Sequence, residues 1–266
     1  MKHSKTDILN AEKIGSLIGL SGRFTVCVKE KVGSTNLEIK ERVGELDDLF
    51  LLVANDQSAG RGRLGRTFFS PPGSGVYFSL LMKERGRPGE VALITAAAGV
   101  AMCEAIFEVF GVSAGIKWVN DVYINGRKVC GILAECVPDP ILEGIYGVIL
   151  GVGVNVYPPE GGFPPEIADR AGAVCRERLQ EGRNRLVASF INRFYALYSS
   201  GDIENVCRLY RGYDITIGKN ITVISGDYSK DAVALSVDDH CRLEVMYPDG
   251  CREFLSTGEI SIKLRP

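Results

Sequence analysis

The sequence predicts an α+β protein, with a mixed β-sheet, flanking helices and a small β-rich domain at the C-terminal end. Through residue 212, apolar runs of strand length alternate with helical patterns, and an Asn125-Gly126 dipeptide between two runs signals a hairpin. After Gly212, short β-rich pieces alternate with Gly, Asp and Ser turns at a spacing of roughly 8–12 residues. We therefore expect two domains, 1–212 and 213–266, the second a small β-barrel.

Local patterns justify the elements of the first domain in order. Broken apolar periodicity predicts the first helix, and Ser34 with Thr35 offers an N-cap for the second. An alanine-rich stretch ending at Phe110 has the length of a buried helix. Its apolar run is interrupted by Glu104, which argues against a membrane-spanning helix. The predicted helices cover 8–20, 35–43, 90–110, 183–198 and 203–210, and the predicted strands cover 24–32, 49–56, 76–83, 116–118, 121–124, 128–136 and 146–156.

Composition excludes several classes of protein. The chain has 266 residues, with 31 basic and 33 acidic side chains, and this balance argues against a bulk nucleic-acid or membrane-surface binder. It contains two histidines, His3 and His240, which leave little room for histidine-based catalysis or metal binding. The eight cysteines include no C-x-x-C pair, and the N-terminus lacks a signal-like apolar stretch. We therefore expect a cytoplasmic protein with reduced thiols.

The densest chemical signal is Gly60–Arg66, GRGRLGR, directly after a predicted strand. Glycines allow close approach of the backbone to a ligand, and arginines carry fork-shaped donors that match carboxylate or phosphate oxygens. The segment lacks the GxxxxGK[ST] pattern, and we do not interpret it as a dinucleotide-binding turn. It predicts an anion-binding loop. A solvated basic loop or an arginine–glycine RNA contact is the alternative.

Two lysines and a glycine-rich strand complete the candidate site. Lys117 precedes the only tryptophan and Lys128 precedes an apolar strand, so each is predicted at a sheet edge facing a cleft. A cation there neutralises charge on a transferring phosphoryl or carboxylate group, whereas most lysines are solvated surface groups. In GVGVNV, 151–156, small residues let a ligand lie against the strand and Asn155 can hydrogen-bond to it. A tight strand crossing explains the glycines equally well.

Five segments resemble, in order, the signature of the biotin protein ligase, or biotin–[acetyl-CoA-carboxylase] ligase, family. They are GSTN (33–36), QSAGRGRLGR (57–66), KWVND (117–121), KVCGIL (128–133) and GVGVNV (151–156). The closing STGEISIKL is similar to the family's final GEIS strand. Each motif alone is weak, but the ordered set is specific. The resemblance implies a class II synthetase-like catalytic fold with a C-terminal SH3-like barrel.

The resemblance also implies a two-step enzyme. Biotin and MgATP would give biotinoyl-5′-AMP, and the acyl group would pass to a lysine of a biotin carboxyl carrier domain, as in acetyl-CoA carboxylase. The implied catalytic residues are Arg63, Lys117 and Lys128, cations that separate two anions which otherwise repel. The implied biotin site comprises Ser34, Thr35, Asn36, Gln57, Gly60, Arg61, Gly62, Arg63, Lys128 and Gly131. The implied ATP site comprises Arg63, Arg66, Phe68, Lys117, Asn120, Lys128 and Asn155, with Mg²⁺ carried by ATP and no protein-bound metal.

The sequence departs from the family pattern at two positions. Val119 replaces the proline of KWPND, and Cys130 stands where a small residue such as alanine is usual. The segment before GSTN leaves no room for the helix-turn-helix module of ligases that also repress transcription, so we expect a monofunctional ligase without DNA or membrane binding. The family often dimerises, and a homodimer is left open here.

Two rival interpretations remain. A lipoate–protein ligase would share the fold and the adenylation chemistry, and GRGRLGR with KWVND favours biotin over it. A non-catalytic RNA-binding protein would use the arginine loop. The near-neutral charge and the lack of aromatic residues interleaved with the basic ones disfavour RNA binding.

Overall fold

A computed structural model of the chain describes residues 7–20, 22–83, 90–138, 145–225, 228–256 and 259–262. The helices α1 to α5 are Ala11–Leu17, Thr35–Glu41, Glu90–Phe110, Gly182–Ser200 and Ile203–Tyr213. The strands β1 to β12 are Thr25–Val32, Phe50–Gln57, Gly75–Met82, Gly115–Lys117, Asp121–Ile124, Arg127–Pro138, Ile145–Asn155, Asn220–Ser225, Tyr228–Val237, Leu243–Met246, Arg252–Leu255 and Glu259–Ile262. A short 3₁₀ turn, Arg63–Gly65, lies in the arginine-rich loop between β2 and β3.

Local sequence accounts for the bounds of several elements. α3 occupies the predicted alanine-rich stretch from end to end. The Asn125-Gly126 turn joins β5 to β6 with φ of 49° and 74°, and two positive values are what a type I′ hairpin turn requires. α1 is shorter than predicted and begins at Ala11, because Asn10 caps it by accepting the N–H of Lys13.

The larger sheet has seven strands in the order β1-β2-β3-β7-β6-β5-β4. β1 and β2 run parallel, and every other neighbouring pair is antiparallel. α3 and α4 cover one face, where buried side chains such as Phe78 and Leu150 join the main core. α2 covers part of the opposite face, where Ile39, Leu52 and Ile149 form a smaller core. The candidate site lies on this second face, next to α2.

The central helix α3 is strongly apolar. By length and composition its segment Val91–Phe110 is sufficient to cross a membrane, yet 72% of its most apolar window is buried inside the protein. Its Glu104 carboxylate pairs with Arg193 of α4 at 2.7 Å. The apolar side chains of α3 therefore pack in the main core.

The C-terminal segment forms an antiparallel five-stranded sheet in the order β11-β10-β9-β8-β12, which agrees with the predicted β-rich texture. It meets the larger sheet at Trp118, whose indole Nε1 donates to the Cys241 carbonyl at 3.0 Å and whose backbone N–H donates to Thr216 Oγ1 at 2.9 Å. The Ile215 N–H donates to the Ile116 carbonyl of β4. The smaller sheet therefore braces the KWVND segment.

Candidate active site

The candidate site is built on a floor of glycines. Alternate residues of β7 and β6 bring Gly151, Gly153 and Gly131 to the face opposite α3, and Gly131 pairs with Gly153 across the strands. A Cβ at Gly153 would lie 2.7 Å from the ring of Phe68, and a Cβ at Gly151 would overlap the amide oxygen of Asn36. The glycines therefore make room for side chains from the arginine-rich loop and from α2, and a tight strand crossing is not needed to explain them.

The last three residues of the GSTN segment lie buried at the start of α2. Ser34, Thr35 and Asn36 are 3–4% exposed, and Ser34 occupies the predicted N-cap position without a side-chain capping bond. The Thr35 N–H donates to Gln57 Oε1 at 2.9 Å. Ser79 Oγ lies 2.7 Å from Thr35 Oγ1 and 2.6 Å from Asn36 Oδ1. Buried polar groups are normally hydrogen-bonded, and here the hydrogen bonds join α2 to the strands β2 and β3.

The arginine-rich loop closes at Gly60. The Phe68 N–H donates to the Gly60 carbonyl at 2.9 Å. A Cβ at Gly60 would lie 2.5 Å from the Phe68 carbonyl oxygen and 2.6 Å from Ser70 Oγ, so only glycine fits there. Gln57 Nε2 donates to Ser70 Oγ at 3.0 Å, and this bond ties the base of the loop to the GSTN network.

Two predicted catalytic cations meet at the KWVND segment. Lys128 Nζ lies 2.6 Å from a carboxylate oxygen of Asp121, and Arg63 Nη1 donates to Asn120 Oδ1 at 3.1 Å. The peptide bond before Val119, the residue in place of the family's proline, is cis. Arg63 and Lys128 therefore contact adjacent residues of this segment, and their catalytic roles stay predictions.

The other two arginines of the loop have different surroundings. Arg61 Nη1 reaches to Oε1 of Glu135 on β6 at 3.4 Å. Arg66 is exposed, and its carbonyl accepts the Gly62 N–H at 2.7 Å, which closes the tip of the loop. The contacts of Arg61 and Arg63 direct both guanidinium groups toward the floor. This arrangement favours a small anionic ligand over display to an RNA strand.

Two predicted ligand residues lie at the margin of the site. The Lys117 ammonium lies over the ring of Tyr123, 5.7 Å from its centroid. Asn155 ends β7 two residues beyond Gly153, and its amide donates to the Gly172 carbonyl at 3.1 Å. The structure therefore places Lys117 on β4 beside an aromatic ring and gives Asn155 a bond that fastens the following loop. Their roles in ATP binding stay predictions.

Three residues that contact the site were not predicted from the sequence. Ser79 bonds to the GSTN segment, Asp121 holds Lys128, and Glu135 holds Arg61. Ser79 and Glu135 are polar residues inside apolar strands, and this feature of the sequence could have identified them as candidate site residues. The predicted residues that the structure brings together on the floor and in the loop above it are Thr35, Asn36, Gln57, Gly60, Arg61, Arg63, Phe68, Asn120, Lys128 and Gly131.

Two ionisable groups next to the site, Tyr77 and Cys130, act in packing. Burial raises the pKa of Tyr77, whose hydroxyl donates to the Pro71 carbonyl at 3.0 Å. Burial also raises the pKa of the Cys130 thiol well above its ordinary value, although Lys128 opposes this shift. Cys130 therefore stays a neutral core thiol. Within the described ranges, no group of three or more His, Cys, Asp or Glu side chains is placed to hold a metal ion.

Sequence comparison places the chain in a family. A model of the biotin/lipoate A/B protein ligase family matches residues 27–155. The biotin–[acetyl-CoA-carboxylase] ligase of Paracoccus denitrificans is 34% identical over 241 residues, which cover 86% of this chain and 97% of that protein. The chain belongs to the biotin/lipoate A/B protein ligase family.

Other members of the ligase family differ in length. The bifunctional ligase/repressor BirA of Bacillus subtilis is 30% identical over 210 residues, which cover 77% of this chain but only 64% of that protein. The structure is similar to the biotin protein ligase of Aquifex aeolicus in complex with biotin and ATP, with a TM-score of 0.72, 24% identity, and coverage of 90% of this chain and 98% of that one. The mixed α+β fold predicted for the catalytic part is thereby confirmed.

Proposed function

We propose that the protein is a biotin–[acetyl-CoA-carboxylase] ligase. Biotin and MgATP give biotinoyl-5′-AMP and pyrophosphate, and the biotinoyl group then passes to a lysine of a biotin carboxyl carrier domain. The observation that carries the proposal is the convergence of Arg63 and Lys128 on the Asn120–Asp121 pair, beside the buried GSTN network. The name of the Paracoccus denitrificans relative supports this choice of substrates.

The first step brings two anions together. A carboxylate oxygen of biotin attacks the α-phosphorus of ATP, a C–O–P anhydride forms, and the bond to pyrophosphate breaks. Repulsion between the carboxylate and the triphosphate has to be offset. Lys128 would lie between the reacting groups and Arg63 over the phosphates, where both offset the developing charge. The resting contacts with Asp121 and Asn120 hold the two side chains near the floor before substrate binds.

The product of the first step is a mixed anhydride that water hydrolyses, so it has to be covered. Phe68 rests on the glycine floor, and Arg61 connects the loop to β6. We propose that the loop covers the adenylate and that the adenine stacks on Phe68. Arg66, Lys117 and Asn155, at the margin, would face the triphosphate with its Mg²⁺ and the adenosine.

We also propose a domain division, a cellular location and an acceptor for the protein. The domains would be 1–212 and 213–266, the second an SH3-like barrel formed by the five-stranded sheet. The bonds of Trp118 to Cys241 and Thr216 support a role for this domain in holding KWVND. We expect a cytoplasmic enzyme that acts on the carrier domain of acetyl-CoA carboxylase or a related carboxylase. A homodimer remains a prediction that light scattering in solution tests.

Incubation with labelled biotin, MgATP and a biotin carboxyl carrier domain tests the proposed function. We expect pyrophosphate release with biotin and label on the carrier lysine. Lipoic acid in a parallel reaction should release much less pyrophosphate, and faster release with lipoic acid would assign the protein to lipoate ligation. No release with either acid, together with retention on RNA at about 0.2 M salt, would support the RNA-binding alternative.

A further inference from the structure

Glu135 places a carboxylate in the wall of the site that the proposed reaction leaves without a role. It stands on β6 two residues beyond Leu133, and its side chain is 18% exposed. Its Oε2 accepts the Asn36 Nδ2–H at 2.8 Å, and its Oε1 lies 3.4 Å from Arg61 Nη1. One carboxylate thus contacts both the GSTN segment and the arginine-rich loop.

The Glu135 contact decides which way the Asn36 amide points. An ionised carboxylate only accepts hydrogen bonds, so the NH₂ group of Asn36 has to face it. The other N–H of that group donates to the Leu133 carbonyl at 3.3 Å. Asn36 Oδ1 is thereby turned toward Ser79, whose hydroxyl donates to it at 2.6 Å. The same Ser79 hydroxyl lies 2.7 Å from Thr35 Oγ1, which in turn donates to Gln57 Oε1 at 3.2 Å.

This orientation has a consequence for the ligand. Asn36 Oδ1 accepts from Ser79, and an amide oxygen has a second lone pair that can accept an N–H of a ligand. The ring of biotin is a cyclic urea with N–H groups, whereas the dithiolane ring of lipoic acid has none. An inverted Asn36 would present its own N–H groups to those of the urea. We propose that Glu135 is a positioning residue that fixes Asn36 as an acceptor and so selects a ring with N–H donors. This inference rests on the proposed function.

The substitution Glu135→Gln tests the role of the carboxylate. Glutamine has nearly the same shape but donates as well as accepts, so the Asn36 amide is no longer held in one orientation. We expect the KM for biotin to rise about tenfold, as for the loss of one hydrogen bond, with kcat and the KM for ATP unchanged. The preference for biotin over lipoic acid, measured as the ratio of kcat/KM, should fall by the same factor.

Glu38→Gln is the matched control. Glu38 lies on α2, its side chain is 23% exposed, and it pairs with Lys29. Its substitution removes one negative charge near the same helix without touching Asn36. We expect the Glu38→Gln variant to keep the wild-type KM for biotin and the wild-type ratio of kcat/KM between biotin and lipoic acid.

A reciprocal exchange separates positioning from structural support. Asn36→Asp alone places two carboxylates in contact and should raise the KM for biotin more than Glu135→Gln does. In the double variant Asn36→Asp/Glu135→Gln, the new amide donates to the new carboxylate, and an acceptor again faces Ser79 and the ligand. We expect its KM for biotin to return to within about threefold of the wild type, which independent losses would not give.

Two results would overturn the proposal. One is a Glu135→Gln variant with the KM and the acid preference of the wild type. The other is a double variant that does not fold, or whose KM for biotin rises by the product of the two single-variant factors. This second result is decisive even if the Glu135→Gln variant does not fold. If the wild type itself releases no pyrophosphate from MgATP with biotin, the proposed function fails. Normal wild-type activity with an unaffected Glu135→Gln variant rejects only the role of Glu135.

Discussion

The two faces of the sheet formed by β3, β6 and β7 differ in composition, although residues of the two faces alternate along each strand. On the face under α3 and α4, Phe78, Leu150 and Ile132 are at most 1% exposed and pack into the main core. On the opposite face each of them has one small or polar neighbour: Ser79 follows Phe78, Gly151 follows Leu150 and Gly131 precedes Ile132. Because side chains alternate between the faces of a strand, one set of positions packs into the main core, and the other set supplies both the glycine floor of the site and the smaller core under α2. Glycine and serine at alternate positions of an apolar strand therefore mark the functional face.

Two phenylalanines provide the largest expected contrast between the faces. Phe78 is fully buried, with its ring centroid 5.2 Å from that of Phe190 on α4, so Phe78→Ala should lower the free energy of unfolding by about 3–5 kcal/mol. Phe68 lies on the glycine floor in a loop, so Phe68→Ala should lower it by about 1 kcal/mol and mainly reduce biotin activation. Urea unfolding and pyrophosphate release measure the two effects. Equal losses of stability would contradict the division between the faces.

A charge removed from the site face should affect activity more than stability. Lys128→Met should reduce kcat/KM about 10²–10³-fold, or about 3–4 kcal/mol, because a cation no longer offsets charge in the transition state. The Lys128 side chain is 32% exposed and pairs with Asp121, and such pairs contribute about 1 kcal/mol or less to the free energy of unfolding. Lys230→Met is the control, since Lys230 is 33% exposed and pairs with Asp249 in the smaller sheet. Wild-type kcat/KM in Lys128→Met would remove Lys128 from the reaction.

A methyl group added to the floor tests the site face by shape alone. The Cβ in Gly153→Ala would stand 2.7 Å from the Phe68 ring, which has to leave the floor. We expect the KM for biotin to rise about tenfold, or about 1.4 kcal/mol, with little change in the thermal midpoint because Phe68 is carried by a loop. Gly44→Ala meets nothing within 4 Å and serves as the control. If Gly153→Ala and Gly44→Ala behave alike, the floor is not part of the biotin site.

Much of the fold follows from short-range pattern. The length of α3 and the Asn125-Gly126 hairpin depend on residues close together in the chain, and both were predicted at their observed positions. The family resemblance also led us to expect Arg63 and Lys128 in one site, because each lies within one of the ordered motifs, and their roles there stay predictions.

The part of the site that the sequence did not reveal depends on long-range pairing. Asn36 and Glu135 are 99 residues apart in the chain, and they meet because α2 packs on the sheet and the register of β6 with β7 places Glu135 beneath it. Strand pattern alone does not say which face of β6 carries Glu135, because a shift by one residue moves every side chain to the other face. Ser79 was missed for the same reason.

The smallest expected effect concerns Glu108, a half-exposed residue of α3, which is one of the helices that cover the main core. Glu108 of α3 accepts hydrogen bonds from the Ser189 hydroxyl and from Arg193 of α4. The Ser189 bond, opposed by partial burial and reinforced by Arg193, lowers the pKa of Glu108 below its ordinary value of 4.5. A carboxyl group with a lowered folded-state pKa stabilises the protein above its ordinary pKa, and this contribution is lost as the pH falls through the lowered value.

Glu108→Gln should therefore lower the free energy of unfolding at neutral pH, by at most about 1 kcal/mol because the carboxylate is half exposed. The difference from the wild type should shrink as the pH falls below 4.5 and vanish below the folded-state pKa. Urea unfolding at pH steps through this range measures it. A difference that persists in acid would mean that Glu108 contributes packing rather than charge. Reduced biotin activation at neutral pH would mean that the two faces are coupled, since Glu108 lies on the side of α3 that packs against α4 and away from the glycine floor.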